Sequence, residues 1–365
     1  MNVKCSPVFI RAAPQNAANE EINTEFADIL GDTYCFTDRL DELGHRKYED
    51  SHIAIVHIDG NDMGQLFRKT KTLEETRLLS NSVREITMES FRELLKHMTS
   101  KFGDIENALG FDTEEKKRLL PKRKNRKVIP LRPIIIGGDD ITFVCAGKLG
   151  IYLAKYFLQK FEELAGKNEA LNKLKNSLEF DSLTACAGIA VTKTKYPFYH
   201  GYELAEQLCR NAKQERRKNS SSSSWLDFHI AYGGFSGTLE EIREFHYQVP
   251  RQGSLLFRPY RLEDNTANDF YRFVENTKQI KKIFPKSKLM QLREELTRGE
   301  TASRTFHLEM SVRGRDFPDI PNMPTKESLW GNDKKTPYFD MIELIEFYPS
   351  FALDDQEKSN ERLHD

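Results

Sequence analysis

Nowhere does this 365-residue chain approach the roughly 20 consecutive apolar residues that a helix needs to cross a bilayer. Its start, Met1-Asn2-Val3-Lys4-Cys5, lacks the apolar core of a signal peptide. A membrane role is therefore not expected, and a cytoplasmic location is. Cysteine is equally sparse. Cys5, Cys35, Cys145, Cys186 and Cys209 are odd in number, widely spaced and without any C-x-x-C pair, which excludes a disulfide framework and a cysteine zinc site. Those in apolar stretches read as reduced core residues. Charge of one sign is also missing: 55 basic and 56 acidic residues nearly cancel, so any nucleic-acid partner must meet a local patch.

What is present is a series of short apolar runs separated by amphipathic stretches, in a chain long enough for two domains. Residues 1–50 are of mixed polarity and read as a lead-in segment. Ile53 to Ile58 is an apolar run ended by Asp59-Gly60, as in a buried strand. Between Thr72 and Phe102, Leu79, Val83, Ile86, Phe91, Leu94 and Met98 recur at helical spacing. Ile134 to Ile136 and Ile141 to Cys145 are β-rich runs joined by Gly137-Gly138-Asp139-Asp140, a hairpin in which glycine offers a permissive backbone. A helix over 148–165, a strand over 183–191, a helix over 202–217 and a half-exposed strand over 225–231 follow.

This order is the split β-α-β plan of a ferredoxin-like fold, an α+β domain with an antiparallel sheet and helices on one face, expected over 51–235. Residues 236–365 carry weaker signals. Leu289, Leu292 and Leu296 predict a helix and Met341 to Phe347 an apolar stretch, so this part is assigned a mostly helical accessory domain.

In that plan the first strand and the hairpin are neighbours, which brings Asp59 to Asp139 and Asp140. Carboxylates crowded in this way raise one another's pKa unless cations neutralise them, and hard oxygen ligands select Mg²⁺ or Mn²⁺. Two such ions, held by Asp59, Asp139 and Asp140, suit nucleotidyl transfer. Gly60, Asn61 and Asp62 after the strand, and Gly137 and Gly138 in the turn, are expected to admit a nucleotide. Lys213 and Arg217, four residues apart on one helix face, are the expected triphosphate cations. The basic stretch 114–127, with Lys122, Arg123, Lys124 and Arg126, reads either as a solvated loop or as an RNA phosphate contact.

Ile58-Asp59-Gly60-Asn61-Asp62-Met63-Gly64, Gly137-Gly138-Asp139-Asp140, Cys186 to Val191 with Tyr196-Pro197, and Ala205 through Lys213 together resemble a known family. It is the palm domain of the large polymerase-cyclase subunit of type III CRISPR effector complexes, a relative of GGDEF diguanylate cyclases and class III nucleotide cyclases. The resemblance covers about residues 51–234 and implies conversion of ATP to cyclic oligoadenylates by a two-metal centre in antiviral defence.

Departures from the family pattern bear on this. His57 stands where many cyclase relatives place a metal-binding Asp, and only one Gly-Gly-Asp-Asp occurs. A homodimer or a second palm-bearing protein is therefore expected. The alternative function is a palm that binds nucleotide or RNA as a scaffold subunit without turnover. A GTP-using diguanylate cyclase is disfavoured by Asp140 in the fourth motif position and Ile141 after it.

Overall fold

The computed structural model describes residues 15–37, 39–43, 51–110, 126–233, 237–262, 268–320 and 328–354. The chain divides into two compact units, Met1–Gly234 and Phe235–Asp365.

In the first unit, β1 (His52–Gly60) is the central strand. A short α1 (Met63–Lys69) leads to the long α2 (Leu73–Ser100), then α3 (Phe102–Leu109). The hairpin β2 (Leu131–Ile136) and β3 (Asp140–Ala146) is followed by α4 (Gly150–Lys167), α5 (Glu169–Leu178), β4 (Ala185–Lys193), α6 (Phe198–Lys218) and β5 (Trp225–Ile230). These five strands lie in one sheet in the order β5-β4-β1-β3-β2. β1 is antiparallel to both β3 and β4, β2 is antiparallel to β3, and β5 runs parallel to β4. The first four strands reproduce the ferredoxin-like order.

Alternation along the strands decides which helix covers which face. Val56 pairs with Phe143 and Ile189, and this face receives α2 through the Phe91–Phe143 ring contact and α4 through Gly150, which sits over Ala54 and Ile189. The two helices of the split β-α-β unit thus share one face, as the sequence predicts. The third helix, α6, lies on the other face. A Cβ at Gly188 would stand 2.0 Å from the Ala205 carbonyl oxygen, and one at Gly201 would stand 2.5 Å from Ile55 Cδ1. β5 is accordingly buried along its whole length rather than half-exposed. Its polar members Asp227 and His229 face α6, where Asn211 Nδ2 donates to Asp227 Oδ2 at 2.7 Å.

Local chemistry accounts for the element ends. Thr72 and Glu75 form a reciprocal capping box at the start of α2, and the predicted Leu79, Val83, Ile86, Phe91, Leu94 and Met98 are all buried. Helix α5, absent from the sequence reading, starts where Asn168 Oδ1 accepts from the Leu171 amide at 2.9 Å, and it buries Leu171, Leu174 and Leu178. The lead-in contributes a helix, Gln15–Glu25, and a two-residue strand, Tyr34–Cys35, parallel to Lys127–Val128. Phe26 packs edge-on against Phe91, so this segment adds to the first unit's core. Cys35, Cys145, Cys186 and Cys209 are buried and form no disulfide, whereas Cys5 lies outside the described residues.

The second unit is helical over most of its described residues: α7 (Leu239–Tyr247), α8 (Phe270–Ile283), α9 (Lys286–Thr297), α10 (Glu300–Val312), α11 (Tyr338–Phe347) and α12 (Ser350–Asp354). Leu289, Leu292 and Leu296 are buried on α9. No helix among the described residues is long and apolar enough to cross a membrane.

Candidate nucleotide site

The end of β1 and the β2–β3 turn place the acids. Asp59 and Asp140 are direct cross-strand partners, and the Gly60 amide donates to the Asp139 carbonyl at 3.0 Å. Asp59 and Asp139 line an open cleft of about 310 Å³ with Gly60, Asp62, Met63, Gly64, Gln65, Arg68, Lys213 and Arg217. Burial pushes the Asp139 carboxyl above its ordinary value, and the negative charges of Asp59 and Asp140 push it further. The crowding expected from the sequence is therefore real for this acid.

The turn works differently from the expectation. Neither Gly137 nor Gly138 takes up a left-handed backbone. Gly137 leaves space that Asp140 fills: a Cβ there would fall 1.7 Å from Asp140 Oδ1. The Asp140 carboxylate thus folds back over its own turn, and Asp140, Gly137 and Gly138 do not line the cleft. A Cβ at Gly60 would likewise meet Met63 Cε at 2.7 Å and Asp139 Cβ at 3.1 Å, so the missing side chain there makes room for protein atoms.

The cations of α6 are largely engaged. Lys213 Nζ lies 2.8 Å from Asp59 Oδ2 and donates to the Gly60 carbonyl at 2.7 Å. Arg216 Nη1 donates to Asp62 Oδ2 at 2.6 Å, while Arg217 stands 3.6 Å from Asp62 Oδ1. Arg216, outside the sequence-derived set, is the firmer partner of Asp62, and its three-residue step from Lys213 is the signal that points to it. Asp62 precedes α1 with φ 55°, a left-handed conformation tolerated by Asp.

Two further residues face inward. Asn61 is 5% exposed, and its Nδ2 donates to Thr184 Oγ1 at 2.9 Å, so it ties the strand end to β4 instead of lining the cleft. His57 is buried, with Nδ1 2.9 Å from Thr142 Oγ1 and its ring edge-on to Tyr202. Burial holds its pKa below the usual value, so the imidazole stays neutral. Of stretch 114–127, only residues 126 and 127 are described. Arg126 bonds to the Gly31 carbonyl and Lys127 lies over the Phe102 ring; the remainder is outside the described residues.

Among the described residues no group of three His, Cys, Asp or Glu side chains stands close enough to hold a metal. The oxygen donors nonetheless fit a cation. Asp59 Oδ2 and the Gly60 carbonyl converge on one point, beside Asp139, and the Lys213 ammonium stands in for the ion there. Asp59, the Gly60 carbonyl and Asp139 are the groups that would hold a divalent metal.

A ferredoxin-like sheet with acids at the end of its central strand and adjoining turn defines the chain's first unit as a palm domain. Residues 52–222 match the family model described as Cas10/Cmr2, second palm domain. No curated protein matches. Similar solved structures include Csm1 from T. onnurineus (14% identity, TM-score 0.43, 84% of this chain and 39% of that one). A Csm1–Csm4 cassette in complex with pppApA aligns with 12% identity and a TM-score of 0.39, over 84% of this chain and 37% of the other. The same cassette with AMPPNP gives 14% and 0.40, with 84% and 37% covered. The chain thus spans well under half the length of the structures it matches.

Proposed function

We propose that the palm binds a nucleoside triphosphate, with ATP the first candidate, and works as one half of a cyclase or oligonucleotide synthetase. The observation that carries this reading is the pair Asp59 and Asp139 lining one cleft, with Asp59 Oδ2 and the Gly60 carbonyl directed at a cation position that Lys213 now fills. The match of residues 52–222 to the Cas10/Cmr2 second palm domain model supports it. In the reaction, the 3′-oxygen of one nucleotide forms a bond to the α-phosphorus of another. The α–β phosphoanhydride bond breaks, pyrophosphate leaves with the bonding electron pair, and the hydroxyl proton passes to water.

Divalent cations, when bound, supply Lewis-acid activation of the attacking hydroxyl and of the leaving oxygen. Asp59 and Asp139 hold that position, the Gly60 carbonyl adds a neutral oxygen, and Arg216 fixes Asp62 so that the strand end stays rigid beneath the cleft. A bond between two nucleotides needs two nucleotide sites, so a second palm, from another copy of this chain or a palm-bearing partner, completes the reading. The test is mass spectrometry of products after incubation with each NTP and Mg²⁺ or Mn²⁺, with a second palm supplied. A cyclic or linear oligonucleotide that Asp139→Ala abolishes is expected; no product from any NTP overturns the reading.

One observation favours a second reading, a palm that binds nucleotide as a scaffold without turnover. His57, buried and bonded to Thr142, puts no carboxylate where cyclase relatives place an acid, and it does not line the cleft. Tight nucleotide binding without product in the same assay is its signature.

A further inference from the structure

The cations around the cleft are unevenly committed. Lys213 and Arg216 hold carboxylates at 2.8 and 2.6 Å, with side chains only 16% and 15% exposed. Charge-assisted pairs at these distances leave little of either cation for a ligand. Arg217 reaches Asp62 only at 3.6 Å, the same carboxylate already holds Arg216, and its side chain is 60% exposed. Arg68, in the last turn of α1, lines the cleft as well and makes no hydrogen bond or ion pair with any described residue. One guanidinium thus comes from α1 and the other from α6, two elements that bound a single cleft. Gly64, also lining it, has nothing within 4 Å of where its Cβ would be, so the space on the α1 side is open.

We infer that Arg68 and Arg217 clamp the polyphosphate tail of a nucleoside triphosphate between α1 and α6, while Lys213 stays with Asp59. Guanidinium groups present a planar fork that matches phosphate oxygens bidentately, and two forks from different elements fix the direction of the phosphate chain. The cleft's acids sharpen that direction. Asp59 and Asp139 repel an uncompensated phosphate, so the tail is favoured on the arginine side and the phosphate nearest the acids is the one a bound cation would serve. This assignment rests on the nucleotide reading above, and it moves the anion-binding role from Lys213, where the spacing of α6 suggests it, to a residue outside α6.

Equilibrium binding of inorganic tripolyphosphate, MgATP and adenosine to the full chain tests the clamp. Arg68→Gln and Arg217→Gln should each weaken tripolyphosphate and MgATP by about 10-fold or more, the loss expected for one charged hydrogen-bonding partner. Adenosine binding should stay within about twofold, a difference too small for a lost ionic contact. Arg68→Lys should recover part of the loss, and Arg210→Gln, which removes an exposed pair with Glu206 away from the cleft, should change nothing. Both clamp residues are exposed, so folding is not at stake. Wild-type affinity in Arg68→Gln, or no tripolyphosphate binding by the wild type, overturns the clamp. Loss of tripolyphosphate affinity in a protein that makes no product sustains the clamp and removes the cyclase. Product formation with unchanged tripolyphosphate affinity and KM in Arg68→Gln does the reverse.

Discussion

Lys213 shows how one side chain changes meaning between sequence and fold. By spacing it is a surface cation four residues from Arg217; in the fold its ammonium bridges Asp59 Oδ2 and the Gly60 carbonyl. An ammonium so held competes with any divalent ion for the same oxygens. Lys213→Met should therefore tighten Mn²⁺ binding, measured on the nucleotide-free protein by electron paramagnetic resonance, by about tenfold or more if the lost competitor is a charge-assisted pair. Unchanged or weaker Mn²⁺ affinity would take the ammonium out of the cation position. The acids themselves were legible because an apolar run ending in Asp-Gly and a Gly-Gly-Asp-Asp turn are local patterns. Their partners were not. Lys213 and Asp59 are far apart in sequence, as are Arg216 and Asp62, and Arg216 and Arg217 both stand at helical spacing from Lys213, so spacing alone does not rank them. The two turn glycines read as conformational, but neither takes a left-handed backbone, and the Asp140 carboxylate lies where a Gly137 Cβ would be.

Among the elements, long periodic segments were the readable ones. The apolar steps of α2 and its Thr72–Glu75 cap lie in plain sequence, whereas α5 is only ten residues long, and its three leucines, beyond the helix expected over 148–165, give too short a period to read. β5 misled for another reason. Asp227 and His229 alternate with Leu226, Phe228 and Ile230 as in a strand with one wet face, yet α6 covers that face and satisfies Asp227. The seating of α6 depends on Gly188, where a Cβ would lie 2.0 Å from the Ala205 carbonyl oxygen and 2.4 Å from the Cys209 amide nitrogen. Both are backbone atoms in a helix and cannot swing aside. Gly188→Ala should cost about 3 kcal/mol or more, at or beyond the upper end of ordinary overpacking, in chemical denaturation of the first unit. It should also weaken nucleotide binding, because α6 carries Lys213 and Arg217. A loss under about 1 kcal/mol would show that the helix shifts without strain.

At the scale of the whole molecule, two compact units predict two transitions, and the second unit offers a probe of its own. Its interior holds the fully buried Arg258 between Asp340 and Glu343. Asp340 Oδ2 also accepts from the Phe257 and Arg258 amides and from Tyr260, and Glu343 Oε1 from Tyr247. Two carboxylates share one guanidinium, and burial pushes both carboxyls above their ordinary values of 3.8 and 4.5. A carboxyl whose pKa is higher in the folded than in the unfolded state contributes stability while protonated. That contribution is complete below the unfolded value and is lost as pH rises through the folded one. The second unit should therefore weaken as pH climbs out of the mid-acid range, and Glu343→Gln, which keeps the shape and stays neutral, should flatten that decline and raise stability at pH 7. Removing the cation acts in the opposite direction. Arg258→Leu leaves two buried carboxylates without their guanidinium and should cost about 3–5 kcal/mol. Hydrogen exchange resolved along the chain checks both, with the change expected over 237–354 and little over 51–233. Equal loss of protection in both units would mean that they unfold as one.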